Sequence, residues 1–589
     1  MSPDGSPMHP SQAATGLRFR PRAVIAAAVC LAIVAGCAGP SIRSQSPEVK
    51  ALVEMDADTK LVGDYADSWG VLPQRVEAAA LVTGLPDTGS DPPLSPQRAT
   101  LIADIQARGV VEPNRLLASP STSLVWVHGY LPPGVRRGDR FDIEVEVPAG
   151  NETESLASGW LMETRLAEMA VMGNRIRDGH LLGVAEGPVL VDPVAKGTFD
   201  SVSRVRGIVP GGGVALQNRS LGLVLKPEHR SVAISKRLGD CINDRFHAVI
   251  RGSKRGVANP KTDRFIELEI PPLYRDNLER YLRVVRCLAV NEPPGGRMAR
   301  LELLSRQLED PVTAPAAAVR LEAIGRDSVS TLRRALKSDD AEVRFYAAEA
   351  LAYLGESIVA EELAQAAANL RSGRPAALAA LGVLDDANGI EALEGLLASR
   401  SAETRYGAFR TLWKMDPSLP LLRGERLADG FHLHILDVNG PPLVHATRRV
   451  RPEIVLFGVE HPLADGLRAE AGREIVVVVQ GGTARISRFA PGENDRCVEC
   501  PASLDEVIRG ITESGGGYPD VVQFLQQAHT MRALESRLVF DAVPRANDGR
   551  TTIHEEVSAD RQADDENEGS NDGLTLFGLP IIADEDAAS

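Results

Sequence analysis

The stretch Leu131–Leu161, LPPGVRRGDRFDIEVEVPAGNETESLASGWL, sets how the first half of the chain is read. A turn signal, Pro132-Pro133-Gly134, is followed by a basic step at Arg136 and Arg137. Apolar and acidic residues then alternate: Phe141, Ile143, Val145 and Val147 against Asp142, Glu144 and Glu146. Successive side chains of a strand point to opposite faces, so this pattern predicts a half-buried strand. Its apolar face is expected in a core, and its acidic face against solvent or a neighbouring subunit. The preceding LVWV, Leu124–Val127, reads as an antiparallel partner strand across the turn. No isolated acid, base or nucleophile stands in this stretch, which reads as scaffold.

Outward from it, strands dominate on both sides. Leu61–Leu85 suggests two short strands closing on the turn PDTGSD. Leu101, Ile102 and Ile105 predict a short amphipathic helix over Gln97–Arg108, ended by Gly109. Downstream, Leu181–Val191 and Leu221–Val224 read as strands, and RVRGIVPGGGVA (Arg204–Ala215) as strand, glycine turn, strand. The triple glycine Gly211–Gly213 lacks the lysine of a phosphate-binding loop, so a permissive turn is the reading. Ile234, Leu238, Ile242 and Phe246 form one stripe of a helix over Ser231–Phe246. FIELEI, Phe265–Ile270, alternates as a strand, while Asp276–Leu288 fits helix or strand.

The character changes at the linker EPPGG near Glu292. From there to about Pro420 the chain is rich in Ala, Leu and Arg. Ile324-Gly325, Leu354-Gly355, Leu381-Gly382 and Met415-Asp416 end comparable helices. The junctions SDDAEVRFYAAEALAYLG and SRSAETRYGAFRTLWKMD are alike, and resemble HEAT-type repeats stacked as a short α-solenoid. Such a surface docks protein partners or acts as a spacer. From Phe431 strands return in FHLHILDV, PEIVLFGV, REIVVVVQ and TARISRF. Two helices follow, Ser503–Ile511 and Tyr518–His529, and then a last strand, RLVFDA.

A chain of 589 residues needs more than one core, so two to four domains are expected. Net charge is −15, and residues 545–589 carry 12 acidic and 3 basic side chains. That acidic segment is expected to be disordered, with one apolar patch at Leu574–Ile582. No basic footprint for nucleic acid is present. At the other end, Arg18, Arg20 and Arg22 precede a short apolar run, Ala23–Ala35. Val34-Ala35-Gly36-Cys37 resembles a bacterial lipobox, which implies export and lipidation at Cys37. Ala38 after it implies an outer-membrane anchor. An export signal with an incidental cysteine is the alternative. The apolar run is too short to span a bilayer.

Beyond Cys30 and Cys37, four cysteines remain: Cys241, Cys287, Cys497 and Cys500. In an oxidising compartment they permit two disulfides, or they stay as free thiols. The lone CVEC pair is too few ligands for zinc, and His432 and His434, two apart on a strand, lack a third. No metal site or cofactor is expected, and no HExxH, GxSxG, Walker or EF-hand pattern occurs. An exported enzyme is therefore the weakest of three functional readings.

Six blocks of this sequence resemble the flagellar basal-body P-ring protein family, in the family's order. They are VEAAALVTGLPDTGSD, LVWVHGYLPPGVRRGDRFDIEVEVPAGNETESLASGWLMET, LLGVAEGPVLV, RVRGIVPGGGVA, HRSVAISKRLGDCINDRF and ASLDEVIRGITESGGGYPDVVQFLQQAHTMRALESRLVF. The likeness covers about Leu61–Val290 and Glu425–Asp541. The lipobox, the helical stretch and the acidic segment are outside the family pattern. The resemblance implies a structural protein without cofactor, closing with copies of itself into a periplasmic ring around the flagellar rod. Rod and L-ring proteins, and peptidoglycan, would be its neighbours, with a lipid tether at Cys37. Arg136 and Arg137 are the surface proposed for assembly or peptidoglycan contact. The competing reading is an envelope lipoprotein acting as a protein-binding scaffold through its helical repeats. The fold expected is α+β: antiparallel-strand-rich regions at 61–291 and 425–544, interrupted by a HEAT-like α-solenoid at 292–424. The signal occupies 1–37, a tether 38–60 and the acidic tail 545–589. The helical stretch is expected to project from the ring.

Overall fold

The computed structural model describes residues 59–544, apart from 173–174, 192–200, 251–252, 293–294, 428–429, 491 and 493. The signal, Cys37, the tether up to residue 58, and the acidic segment with Leu574–Ile582 lie outside the described residues.

The first elements are helix α1 (Val62–Tyr65), β1 (Ala66–Trp69) and β2 (Gln74–Thr83). Helix α2 (Pro96–Ala107) starts where the Ser95 hydroxyl accepts the Arg98 amide, and buries Leu101 and Ile105. A short helix that the sequence did not announce, α3 (Pro113–Leu117), packs beside it. Then follow β3 (Ser123–Leu131), β4 (Arg140–Glu146), β5 (Trp160–Met172), β6 (Arg175–Pro188), the one-turn α4 (Ser201–Arg204) and β7 (Arg206–Ala215). Strands β2-β3-β4-β7-β6-β5 close into a barrel, which leaves that sheet no free edge. The expected pair is present: β3 and β4 run antiparallel, with Val127 opposite Val145. Phe141, Ile143, Val145 and Val147 are buried as the alternation demands, together with Val76, Val125 and Leu161.

Two expectations fail in the barrel. Arg204–Ala215 is not strand-turn-strand: β7 runs on through all three glycines. Phe141 pairs with Gly213 and Ile143 with Val209, so one residue of β4 faces three of β7. That bulge puts Gly211 at φ +60°, a conformation that favours glycine. The neighbouring glycines make room for Phe141, because a Cβ on Gly129 or Gly213 would lie 2.8 Å from its ring. The second concerns the acidic face of β4: Asp142 meets this chain's own loop Thr447–Pro452, while Glu144 and Glu146 pair with His128 and Arg206 of neighbouring strands.

A second layer begins with β8 (Leu221–Leu225) and α5 (Val232–Arg245), whose N-cap Ser231 accepts the Ile234 amide. Leu238, Ile242 and Phe246 of its stripe are buried. Strands β9 (His247–Ile250) and β10 (Ser253–Gly256) form a hairpin; β11 (Ala258–Pro260) and β12 (Phe265–Leu268) complete a sheet of order β1-β8-β12-β11. The ambiguous segment resolves as helix α6 (Leu278–Arg286), capped by Asn277.

Eight helices follow: α7 (Gly296–Leu308), α8 (Ala314–Ile324), α9 (Val329–Ala335), α10 (Ala341–Tyr353), α11 (Ala360–Asn369), α12 (Arg374–Leu381), α13 (Ala387–Leu396) and α14 (Ala402–Met415). The four marked helix ends fall at the ends of α8, α10, α12 and α14. At the two alike junctions Asp340 and Ser401 cap α10 and α14. Gly325 and Gly355 close α8 and α10 with φ of +91° and +83°. This layer shares its core with its neighbours in the chain. One continuous core joins Leu223, Ile242 and Tyr281 of the preceding layer, Leu304, Leu351 and Phe409 of the helices, and Val455 and Phe457 beyond them.

The C-terminal region contains β13 (Gly424–Arg426), β14 (His432–Leu436), β15 (Leu443–Ala446), β16 (Glu453–Phe457), β17 (Arg468–Ala471), β18 (Ile475–Gln480), β19 (Thr483–Arg488) and β20 (Arg496–Pro501). Helices α15 (Leu504–Glu513) and α16 (Tyr518–Thr530) and strand β21 (Arg537–Phe540) complete it. The sheet β13-β14-β16-β15-β21 is mixed, because β14/β16 and β15/β21 are parallel. The region is otherwise antiparallel, in line with the antiparallel-strand-rich expectation. Strand β16, EIVLF, is buried at every position, as a strand covered on both faces must be. The meander β17-β18-β19-β20 packs with α15 and α16 around a separate core containing Val477, Ile486, Ile508 and Phe524.

Candidate functional site

Among the described residues, no group of three or more His, Cys, Asp or Glu side chains could hold a metal ion, and no helix is long and apolar enough to cross a membrane. The chemistry of this molecule is concentrated where its layers meet. Three polar joints do that work.

The first lies between the barrel and the loop Thr447–Pro452. The Asp142 carboxylate accepts the Gly211 amide at 3.0 Å, and a Val450 backbone hydrogen bond also reaches it. Burial nevertheless raises its pKa, against the lowering pull of those bonds and of Arg449. Glu144 meets His128 Nε2 at 2.8 Å, and that hydrogen bond holds its carboxyl below the usual range. Glu146 pairs with Arg206 at 2.5 Å. The period-two acidic face is thus matched by a cationic loop of the same chain and by cross-strand partners.

The second joint fixes the helical layer to the layer before it. Arg280 of α6 is enclosed. Its Nε and Nη2 donate to Glu322 Oε2 at 2.9 and 2.6 Å, and its Nη1 lies 2.5 Å from Glu349. The Tyr274 hydroxyl donates to the other Glu322 oxygen at 2.6 Å. Tyr353 stacks on Tyr274 with centroids 4.8 Å apart, under the Arg280 guanidinium. Glu322 is fully buried and Glu349 nearly so. Burial pushes the Glu322 carboxyl up while Arg280 and the Tyr274 bond oppose that shift. Burial acts to discharge Arg280, and the two carboxylates outweigh it, so its pKa is raised. A buried charge is tolerated only when paired and hydrogen-bonded in this way.

The third joint fixes the helical layer to the C-terminal sheet. Glu453 accepts the Tyr406 hydroxyl at 2.6 Å and Arg410 Nη1 at 3.0 Å. Arg405 donates to the carbonyls of Leu397 and Pro441 and lies over Phe457. His445 stacks on Tyr406 at 3.7 Å, and burial pushes its pKa down to about 3. The helices are therefore held at both ends by desolvated side chains that cannot separate without exposing charge.

The residues singled out from sequence fall elsewhere. Arg136 and Arg137 are exposed, and among the described residues neither guanidinium forms an ion pair. Their backbone amides donate to Asp139 and Asn218. Cys241, Cys287, Cys497 and Cys500 are free thiols. Cys241 donates to the Ala289 carbonyl at 3.2 Å, and burial pushes its pKa up to about 11. Burial also raises Cys287. Cys497 and Cys500 lie on β20, so an odd spacing sends them to opposite faces about 10 Å apart, beyond disulfide reach. His432 and His434 share a face with rings 6.1 Å apart. His434, however, bonds the Leu422 carbonyl and sits edge-on to Phe409 and Trp413, an aromatic environment rather than a metal site. The joint residues Arg280, Glu322 and Glu453 carried no spacing signal. The basic run Arg448, Arg449, Arg451 was visible, but its acidic counterpart lies some 300 positions earlier.

The description "Flagellar P-ring protein" belongs to the family model that matches residues 62–299. Three relatives carry the same name. One from Colwellia psychrerythraea is 26% identical over 35% of this chain and 56% of its own length. One from Shewanella amazonensis is 25% identical over 33% and 54%, and one from Alteromonas mediterranea 27% over 33% and 53%. The chain thus spans about half the length of the curated relatives it matches.

Proposed function

We propose, from the match of residues 62–299 to the flagellar P-ring protein family model, that this chain belongs to that family and is a structural component of the bacterial flagellar basal body. Copies associate side by side by a rotation that closes, making a ring around the rod in the periplasm. The ring acts as a bushing, beside L-ring proteins and peptidoglycan. Lipidation at Cys37 would add a tether to the outer membrane, to be reinforced by a second contact. The observation that carries this reading is the family match across the second-layer sheet and the whole barrel. The three joints favour it further, since a bearing has to transmit force without internal hinging.

A second reading attaches to the helices, because the family match stops at residue 299, as α7 begins. We read 292–424 as a HEAT-like solenoid whose outer surface docks another envelope or rod component. In that role the chain would be a lipoprotein scaffold. Deleting the gene separates the two. Loss of the ring from purified basal bodies, with loss of motility, supports the ring reading. Intact rings and normal motility would exclude it.

A further inference from the structure

The barrel and the turn between β17 and β18 enclose a cleft of about 240 Å³, lined by Pro86, Thr88, Glu154, Ser155, Arg204 and Arg473. Two guanidiniums line it from different layers, Arg204 from the end of α4 and Arg473 from the turn. Arg473 Nη1 donates to the Pro86 carbonyl at 3.0 Å, which fixes the group while leaving the rest of its donor fork undirected. Among the described residues, the Arg204 Nε is buried and has no hydrogen-bond partner. A buried N–H without an acceptor is costly, so this guanidinium has donor capacity that the described part of the chain does not use. The Thr88 hydroxyl is already committed to the Ser155 carbonyl at 2.8 Å, so that wall is fixed. Glu154 is the single carboxylate of the lining, and among the described residues it forms no ion pair with either arginine. Two cations against one anion leave a surplus of one positive charge.

We propose that this cleft binds a carboxylate, held between Arg204 and Arg473. A planar monoanion with two acceptor oxygens matches guanidinium geometry and the single surplus charge. A phosphate dianion would meet Glu154 with excess negative charge. The carboxylate comes either from a free small acid or from the C-terminus of a peptide. Bound there, it would tie the barrel to the C-terminal region and stabilise that contact in proportion to its concentration.

The test uses the full chain labelled with ¹⁵N-arginine, following side-chain Nε–H resonances by NMR. The probes are sodium acetate, neutral acetamide, and a trialanine peptide as free acid or as amide, all at constant ionic strength. Acetate should shift the Arg204 and Arg473 resonances and acetamide should not. Arg473→Gln and Arg204→Gln should each weaken binding roughly tenfold or more. Tighter binding of the free-acid peptide than of acetate, with the amide silent, identifies a peptide-borne carboxylate; equal binding identifies a free acid. If Arg204→Gln fails to fold, Arg473→Gln, altered at an exposed side chain, carries the comparison. No shift with either carboxylate, or affinities unchanged in Arg473→Gln, would overturn the proposal.

Discussion

Replacing Arg280 with Met keeps an unbranched apolar stem and removes the guanidinium and its charge from the joint between α6, α8 and α10. Arg280 is 4% exposed, Glu322 0% and Glu349 5%, so the two carboxylates left behind have almost no water to turn to. Breaking a buried ion pair by removing one partner costs about 3–5 kcal/mol. The comparison is Arg306→Met, which removes an i,i+4 pair with Glu302 on the exposed face of α7 and should cost at most about 1 kcal/mol. Urea unfolding of the full chain, followed by circular dichroism, reads both. The deficit has a pH signature. Burial raises the Glu322 carboxyl, and without Arg280 nothing cationic opposes that rise, so its charged form destabilises most at neutral pH. Lowering the pH through its folded value protonates it, and the difference from wild type should shrink. Adding Glu322→Gln and Glu349→Gln to Arg280→Met should recover a large part of the loss at pH 7.5. If Arg280→Met were as stable as Arg306→Met at neutral pH, the helices would not be docked through a dry joint.

Other consequences follow from single sites. His445 has its folded pKa depressed to about 3 by burial, so its contribution is present above the unfolded value and lost as pH falls below it. His445→Phe keeps a ring against Tyr406 and should flatten the fall of urea midpoint from about pH 7 to pH 4; an unchanged slope would contradict the burial. Gly213→Ala should cost about 1–3 kcal/mol by overpacking, and Phe141→Leu in the same chain should restore part of it. No rescue would mean that the glycines do not serve Phe141. Cys37→Ala should abolish acylation, read by metabolic labelling with a fatty-acid analogue; continued labelling would rule out the lipobox.

Local patterns were legible where one side chain per position decides the outcome. The alternation from Phe141 to Val147, the stripe of α5, the capped junctions at Asp340 and Ser401, and the glycines closing α8 and α10 all read directly as elements. Closure of six strands into a barrel was not legible, because pairing of β2 with β5 or β4 with β7 is set by long-range register. The run Arg204–Ala215 misled for a related reason: three glycines look like a turn until the Phe141 ring opposite them is known. The acidic face of β4 was expected outside because a period-two pattern shows which residues share a face and nothing about what covers it. Here the Thr447–Pro452 loop covers Asp142, and cross-strand partners meet Glu144 and Glu146. The parallel pairings of β14 with β16 and β15 with β21 leave no mark on single strands beyond the apolar run of β16. The joints were invisible for the same reason, since Arg280, Glu322, Glu349 and Glu453 look like surface charges among many and become exceptional only once buried together.

The most direct measurement is cryo-electron microscopy of basal bodies purified from cells making the full chain. We expect a closed ring around the rod in which each subunit shows the helical layer continuous with the barrel layer and the C-terminal sheet. Basal bodies without this chain, or a ring whose helices form a detached and variably oriented density, would contradict the assignment of one rigid structural subunit.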